Sequence, residues 1–283
     1  MTDNLFEAQS ITDNVHRIIG PGQVYAYLII GSEKALLLDT MCGIGDLKHF
    51  VEEFTDLPLY VANTHSHHDH CGGNFQFEKV FIHPADKEQM IHLPYQARID
   101  YVRGEEERRG IPCRWNEQDV ICGDQIETVD LHEGFTFDLG DCTIEVVEAP
   151  GHTYGSICFL DRKRRLMFGG DACNCNTILA PSSVCVPTTI EEYKESMQHL
   201  YTYIDEFDRF LICHGEWDLD KRCISEMIEL CDEIMEGKDD AVPGEFLGHS
   251  VIIAKQRDEE MNRYDGKIAN ILYAKDHIFK KKN

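Results

Sequence analysis

Short apolar segments separated by polar turns fill the first part of the chain. Three of them, VHRIIG, VYAYLIIG and KALLLDT, are rich in apolar and β-branched residues and are divided by the turn residues Pro21-Gly22 and Gly31-Ser32, so they predict strands. The segment DLKHFVEEFT then has helical spacing, and the apolar segments LYVAN and KVFIHP predict two further strands. A strand, helix, strand alternation therefore begins before residue 85.

The same alternation returns after a different segment. Residues 85–111 are charged, carry apolar positions at helical spacing and contain Pro94, which predicts a helical insertion broken at the proline. Strands follow at IETVDL, FTFDL, CTIEVVEAP, SICFLD and RLMFGG, then an amphipathic helix at TIEEYKESMQHLYTYI and a buried strand at FDRFLICHG. We expect residues 216–283 to form a C-terminal helical extension. The pattern predicts an α/β fold of two facing sheets covered by helices, a four-layer αββα sandwich, in a single domain of residues 1–283.

Composition and charge limit the kinds of partner expected for this domain. The chain has 283 residues, 42% of them hydrophobic and 28% charged, and its formal charge of -24 opposes binding to nucleic acid. Residues 1–20 lack a basic segment followed by an apolar one, and no apolar run reaches membrane-spanning length. Twelve scattered cysteines fit a reducing compartment. We expect a cytoplasmic protein with a small-molecule partner, no nucleic acid and no membrane, and a C-terminal segment that could form a homodimer surface.

The segment NTHSHHDHCGG concentrates four histidines and one aspartate in six positions, His65 to His70. Such a cluster would repel itself if protonated and would leave polar atoms unsatisfied if buried and neutral, unless a cation accepts the lone pairs. Imidazole and carboxylate are ligands of Zn, Fe and Mn. Since the side chains of one tight loop project in different directions, two adjacent metals are expected. Further candidates, each just after a predicted strand, are His152, Asp171 and His214.

Four motifs in order, HSHHDH, GHTYGS, GGDA and CHGE, resemble the metallo-β-lactamase fold superfamily. The resemblance covers about residues 11–215. It implies two divalent metal ions, with zinc as the first expectation and iron or manganese as alternatives. It also implies a ligand set and an outer carboxylate that orients the histidine loop. The implied first metal is held by His65, His67 and His152, the second by Asp69, His70 and His214, with Asp171 bridging and Asp39 as the outer carboxylate.

The resemblance predicts a dinuclear hydrolase that attacks a small ester, thioester or lactone with a hydroxide shared by two metals. Asp69 is a catalytic candidate because its carboxylate could relay the released proton. Tyr154 stands where the family commonly has proline, and its phenol is a second catalytic candidate. In the insertion, Tyr95, Arg98 and Tyr101 are candidates for reading an anionic or aromatic substrate. A phosphodiesterase and a mononuclear iron persulfide dioxygenase remain as alternatives.

Overall fold

The computed structural model describes residues 5–91, 94–123, 126–182, 185–246 and 248–281. The chain divides into two compact units. The first contains Met1–Glu145 and Cys213–Gly215, and the second contains Val146–Ile212 and Glu216–Asn283. The single domain of residues 1–283 stays a prediction.

The first unit is built on a seven-stranded sheet whose strands follow chain order. The strands β1 to β4 pair antiparallel, and β4 to β7 pair parallel. The seven strands are β1 (Glu7–Thr12), β2 (Val15–Ile19), β3 (Tyr25–Ile30), β4 (Ala35–Leu38), β5 (Leu59–Ala62), β6 (Lys79–Ile82) and β7 (Glu127–Asp130). Parallel strands need crossover connections, and these connections carry the helices and the histidine-rich loop.

Four helices of the first unit lie in these connections and include the predicted insertion. They are α1 (Leu47–Glu52), α2 (His68–Cys71), α3 (Lys87–Ile91) and α4 (Tyr95–Arg109). Helix α4 ends at Gly110, whose left-handed φ of 65° lets its backbone N–H reach back to the last turn. Ile99 and Val102 of α4 are fully buried in the same core as Leu37 and Val80 of the sheet, so α4 packs as an integral part of this unit.

Strand β8 (Thr136–Asp138) pairs antiparallel with the first residues of β9 (Thr143–Glu148), which crosses the boundary between the units. In the second unit the sheet order is β14-β13-β11-β10-β9, and β11 and β13 are parallel. These strands are β10 (Ile157–Asp161), β11 (Leu166–Gly170), β13 (Arg209–Ile212) and β14 (Asp218–Asp220). The helices are α5 (Ile190–Tyr201) and α6 (Arg222–Met235). Thr189 and Glu192 form a capping box that starts α5, as the sequence pattern predicts.

A second, small sheet corrects one expectation about the C-terminal segment. Its order is β12-β17-β16-β15, with β12 (Thr177–Leu179), β15 (Val242–Phe246), β16 (His249–Ile253) and β17 (Ile271–Tyr273). The described residues of the range 216–283 therefore contain one α-helix and four strands rather than a helical extension. The apolar side chains Val251, Leu272 and Ala180 form the core under this sheet. No helix within the described ranges is both long and apolar enough to cross a membrane.

Candidate metal centre

The histidine-rich loop starts where strand β5 ends, and Asp39 follows the end of strand β4. Because β4 and β5 are parallel neighbours, both connections leave the same edge of the sheet. Asp39 is completely buried and has a φ of 65°, a conformation that few non-glycine residues adopt. A buried carboxylate requires hydrogen-bond donors, so the groups that face Asp39 define its role.

Four donors converge on the Asp39 carboxylate. Its Oδ1 accepts the backbone N–H of Thr64 at 2.7 Å, and its Oδ2 accepts the Thr64 hydroxyl at 2.8 Å and the Nδ1–H of His70 at 2.9 Å. The Cys213 thiol donates to Oδ2 at 3.5 Å. Since the proton of His70 is held on Nδ1, the Nε2 atom presents a lone pair, which is the tautomer that binds a metal.

Asp69, His70 and His214 bring three ligand atoms together within 4.8 Å. His70 Nε2 lies 3.1 Å from His214 Nε2 and 3.7 Å from Asp69 Oδ2, and His214 Nε2 lies 3.3 Å from the same oxygen. Burial alone would raise the pKa of Asp69, but the electrostatic influence of the His70 imidazole and the hydrogen bond from His214 hold that pKa well below its ordinary value. Asp69 is therefore a carboxylate at neutral pH.

The backbone on both sides of His214 is fixed by Tyr25 of strand β3. The Tyr25 backbone N–H donates to the Cys213 carbonyl at 3.0 Å, and its phenol donates to the Gly215 carbonyl at 3.1 Å. These two bonds hold the His214 segment in the first unit. Tyr25 thus positions a candidate ligand that lies 189 residues away in the sequence.

The network around Asp39 extends to His65 through Thr64. The Thr64 hydroxyl lies 3.0 Å from His65 Nδ1. Because that hydroxyl gives its own proton to Asp39, it can only accept a proton from His65 Nδ1. His65 then presents its Nε2 lone pair, 3.1 Å from His67 Nδ1. One buried carboxylate therefore sets the tautomers of two histidines.

In the second unit, His152 lies in the connection that follows strand β9, and Asp171 directly follows strand β11. The Nδ1–H of His152 donates to the Ile178 carbonyl at 3.0 Å, which leaves its Nε2 as the acceptor nitrogen. This Nε2 atom is 3.8 Å from Asp171 Oδ2. The second unit thus brings together the imidazole and the carboxylate that the motifs GHTYGS and GGDA predict.

The chemistry of these donors fits a divalent transition metal. His65, His70 and His152 each use Nδ1 to donate to an oxygen of the protein, so each offers Nε2 as a ligand. Asp69 adds an ionised carboxylate beside His70. Neutral imidazoles combined with carboxylates are the ligands preferred by zinc, iron and manganese.

The other predicted residues lie in varied surroundings. Tyr154 is 48% exposed, and burial of the rest of its ring, followed by the nearby charge of Glu192, raises the pKa of its phenol. Tyr95 is exposed and its hydroxyl faces the Glu117 carbonyl at 3.4 Å. Tyr101 is partly buried and meets the His68 ring edge to face, with 5.3 Å between the ring centroids. Tyr101 of the insertion therefore contacts the histidine-rich helix α2.

Arg98 requires a correction. Its side chain was expected to read a substrate, but only 3% of the residue is exposed. Its Nη1 donates to the backbone carbonyls of Cys42, Gly72 and Ile121 at 3.2, 3.0 and 2.9 Å. These contacts join three connections of the first unit. We therefore assign Arg98 a structural role.

Sequence reasoning missed two positioning residues, Thr64 and Tyr25. Thr64 directly precedes His65 in the sequence. A hydroxyl at the start of a ligand loop can hydrogen-bond a neighbouring imidazole, so the position of Thr64 beside the motif was a usable signal. Tyr25 gave no such signal, since it reads as one more apolar position of strand β3. Its contact with the His214 segment comes only from the folded chain.

The chain belongs to the metallo-beta-lactamase superfamily, whose family model matches residues 19–183, more than half of the sequence. The superfamily prediction is thereby confirmed. Among solved structures, the metallo-beta-lactamase from Pontibacter korlensis superimposes with a TM-score of 0.55 at 15% identity, covering 79% of this chain and 97% of that one. That likeness shows the fold and confirms the α/β class of the metallo-β-lactamase type.

Two curated relatives carry hydrolase names. The chain is 29% identical over 157 residues to the acyl-coenzyme A thioesterase MBLAC2 of Homo sapiens, and the alignment covers 51% of this chain. It spans 56% of the human protein, little more than half its length. The hydroxyacylglutathione hydrolase of Pelagibacter ubique is 27% identical over 231 residues, with 77% of this chain and 82% of that protein covered.

Proposed function

We propose that this chain is a dinuclear metal-dependent hydrolase of small thioesters. The reaction is the hydrolysis of a thioester by water to a carboxylic acid and a thiol. The proposal rests on superfamily membership, on the ligand chemistry of the two units, and on the names of two relatives. Esters and lactones belong to the same reaction class, and we expect them to be weaker substrates.

The observation that carries the proposal is the arrangement of Asp39, His70, Asp69 and His214. Asp39 holds the proton of His70 on Nδ1, and the other ring nitrogen, Nε2, lies together with one ligand atom each of Asp69 and His214. A purely structural histidine cluster has no need of two imidazole nitrogens and a carboxylate that face one another at 3.1 to 3.7 Å. A divalent cation satisfies all three groups.

We further propose the ligand assignment that the motifs imply. Asp69, His70 and His214 hold one metal ion. The motif order, rather than a distance, supports the assignment of the remaining ligands: His65, His67 and His152 hold the other ion, and Asp171 bridges. Zinc is our first choice because it accepts imidazole and carboxylate ligands in open, reactive sites.

When bound, two divalent ions supply a water of lowered pKa and polarise the carbonyl that it attacks. The chain itself contributes orientation and proton transfer. Asp39 fixes two imidazoles in the metal-binding tautomer, directly through His70 and indirectly through Thr64. Asp69 is ionised at neutral pH and can accept the proton released by hydrolysis. The phenol of Tyr154 keeps its proton at neutral pH and can donate a hydrogen bond to a substrate.

The thioester preference comes from the relatives. An acyl-coenzyme A thioesterase and a hydroxyacylglutathione hydrolase are named among the proteins similar to this chain, and both names describe cleavage of a bond between an acyl group and a thiol. The acyl-coenzyme A and glutathione carriers differ, so the shared feature is the thioester. We therefore place thioesters ahead of lactones and phosphodiesters.

The test combines metal analysis with a substrate screen on the full chain. We expect about two divalent ions per chain after loading with zinc, and faster hydrolysis of acetyl-coenzyme A or S-lactoylglutathione than of a lactone or a bis-phosphodiester. His70→Ala should lower kcat/KM by more than about 100-fold, the upper range for loss of an outer partner of a ligand.

The matched control is His49→Ala, which removes an exposed histidine of helix α1 and should leave kcat/KM within about twofold. Hydrolysis of the phosphodiester alone would replace the thioesterase proposal with the phosphodiesterase alternative. One iron ion per chain with oxygen uptake on a persulfide, and no hydrolysis, would replace it with the dioxygenase.

A further inference from the structure

Within the described ranges, Arg257 has fewer hydrogen-bond acceptors than the buried arginines Arg98 and Arg263. The sequence has 51 acidic and 27 basic residues, so most basic side chains can find a carboxylate. Arg257 follows strand β16 in the second unit and is partly buried. Within the described ranges, none of its nitrogens has a carboxylate oxygen within ion-pair distance. A partly buried guanidinium that has one protein acceptor and no counter-ion keeps N–H groups for a further partner, and an anion would also neutralise its charge.

Among the residues that the structure describes, the Arg257 side chain makes one hydrogen bond to the protein. Its Nη1 donates to Oδ1 of Asn176. Asn176 lies in the connection from β11 to β12, the same connection that begins with Asp171. The side-chain NH2 of Asn176 has no acceptor among the residues described, and a guanidinium carries four further N–H groups. Donors from two side chains therefore collect beside the loop that carries a predicted metal ligand.

The groups around Arg257 do not neutralise it. The thiol of Cys175 lies close enough to interact with the guanidinium, but burial raises the pKa of that thiol, so it is neutral at pH 7. The charge of Glu216 also raises the pKa of the Cys175 thiol. The next residue, Asp258, uses both carboxylate oxygens to accept the backbone N–H and the side-chain amide of Asn262.

Arg263, only six residues further on, shows how this fold completes a buried guanidinium when the role is structural. It is 5% exposed, its Nε donates to Asp265 at 2.9 Å, and its Nη1 donates to the Ala269 carbonyl. Arg263 therefore has both a counter-ion and a backbone acceptor within its own loop. Arg257 has neither in the described part of the chain.

We propose that Arg257 and Asn176 form a subsite in the second unit for an acidic group on the thiol half of the substrate. This inference rests on the proposed function and specifies its substrate class as anionic thioesters. The guanidinium presents paired N–H groups that match two oxygens of a carboxylate or a phosphate, and the Asn176 amide adds a neutral donor. Carboxylates occur on glutathione and phosphates on coenzyme A, so both carriers offer the required chemistry.

The kinetic test compares thioesters that differ only in the charge of the thiol carrier. Arg257→Met should raise KM for acetyl-coenzyme A or for S-lactoylglutathione by about 30-fold and leave kcat within about threefold, since a charge-assisted hydrogen bond is lost in binding. The neutral thioester S-acetyl-N-acetylcysteamine should change by less than about threefold. The anionic carrier whose KM rises identifies the acidic group as phosphate or carboxylate.

Arg222→Met is the matched control, because it removes the same charge from an exposed position of helix α6 in the same unit. It should leave both KM values unchanged. Equal losses with the neutral and the anionic thioesters, or equal losses in both variants, would overturn the subsite.

A binding measurement separates this inference from the proposed function. Calorimetric titration of the zinc-loaded protein with coenzyme A and with glutathione requires no turnover, and one of these thiols should bind about 30-fold more weakly to Arg257→Met. Loss of that binding in a protein that hydrolyses no thioester would retain the subsite and reject the thioesterase. Unchanged binding in an active thioesterase would reject the subsite alone.

Discussion

The loop around Asp39 in the first unit and the loop around Arg257 in the second unit surround a charged side chain in opposite ways. Asp39 accepts from four donors supplied by Thr64, His70 and Cys213. In the described part of the chain, the Arg257 guanidinium has one acceptor, the amide oxygen of Asn176. A carboxylate with all its partners inside the protein fixes the geometry of its neighbours. A guanidinium with one partner leaves donors for a ligand.

This contrast separates positioning from recognition. Buried polar groups are stabilising only when their partners are present, so a complete network specifies one arrangement of His65 and His70 before any ligand arrives. An incomplete network, such as that of Arg257, is less stabilising until an anion binds. Substitutions should therefore act mainly on stability and metal content in the first loop, and mainly on substrate binding in the second.

The largest effect is expected from Asp39→Ala. It leaves the buried Thr64 N–H without its acceptor and releases the tautomers of two histidines, so the free energy of unfolding should fall by about 3 kcal/mol. Zinc affinity should fall by at least about 10-fold, as for other outer partners of metal ligands. Urea unfolding and zinc competition with a chelator measure the two effects.

Asp13→Ala is the control for Asp39→Ala, because Asp13 is exposed in the turn between β1 and β2. Its free energy of unfolding should change by less than about 0.5 kcal/mol. Should the Ala variant fail to fold, Asp39→Asn keeps the shape and removes the charge. Unchanged zinc affinity in Asp39→Asn would contradict an orienting role for this carboxylate.

Arg98→Met tests whether the Arg98 side chain stabilises the fold or binds the substrate. Three backbone carbonyls lose their donor, so the free energy of unfolding should fall by about 2 to 3 kcal/mol. In the same helix, Arg103 is exposed and pairs with Glu117. Arg103→Met should therefore change the free energy of unfolding by less than about 1 kcal/mol. A raised KM with unchanged stability in Arg98→Met would restore the substrate-reading role.

Arg98 shows why sequence reasoning succeeds for strands and motifs but not for individual charges. The apolar segments of the first half coincide with β2 to β6 because hydrophobic periodicity is a local signal. Burial of an arginine depends on acceptors from three distant connections, at Cys42, Gly72 and Ile121, which no local window contains. The positive charge therefore read as a surface group.

The prediction of a helical C-terminal extension was wrong for a related reason. Strands β15 to β17 have three to five residues each, and β15 contains Pro243 and Gly244, which weaken its strand signal. They form a sheet because β17 pairs with β12, about ninety residues earlier in the chain. In contrast, the candidate ligands could be named from the sequence, since motif order is preserved along the chain. Their hydrogen-bond partners could not, because Tyr25 and Thr64 act through contacts that appear only on folding.

Thr64→Val should have a smaller effect than Asp39→Ala, because it removes the hydroxyl that links Asp39 to His65 and keeps the bond from Asp39 to His70. We expect a loss of about 1 kcal/mol in the free energy of unfolding. Zinc affinity should fall by about 10-fold, measured by the same chelator competition. Thr64→Ser retains the hydroxyl and should restore both values. Equal behaviour of Val and Ser would show that the hydroxyl does not set the tautomer of His65.

The smallest effect concerns the completed arginine of the second unit, Arg263. Burial would raise the pKa of its partner Asp265, but the hydrogen bonds from Arg263 hold that pKa below its ordinary value. A carboxyl group whose pKa is lower in the folded state stabilises the fold above its unfolded pKa, about 3.9, and loses that contribution as the pH falls through its folded value. The difference in free energy of unfolding between wild type and Asp265→Asn should therefore be constant from about pH 7 to pH 5 and shrink below about pH 4. Urea unfolding across this range measures it, with the exposed Asp276→Asn as a control that should show no such trend. A difference that grows as the pH falls would mean that Arg263, like Arg257, is not neutralised within its own loop.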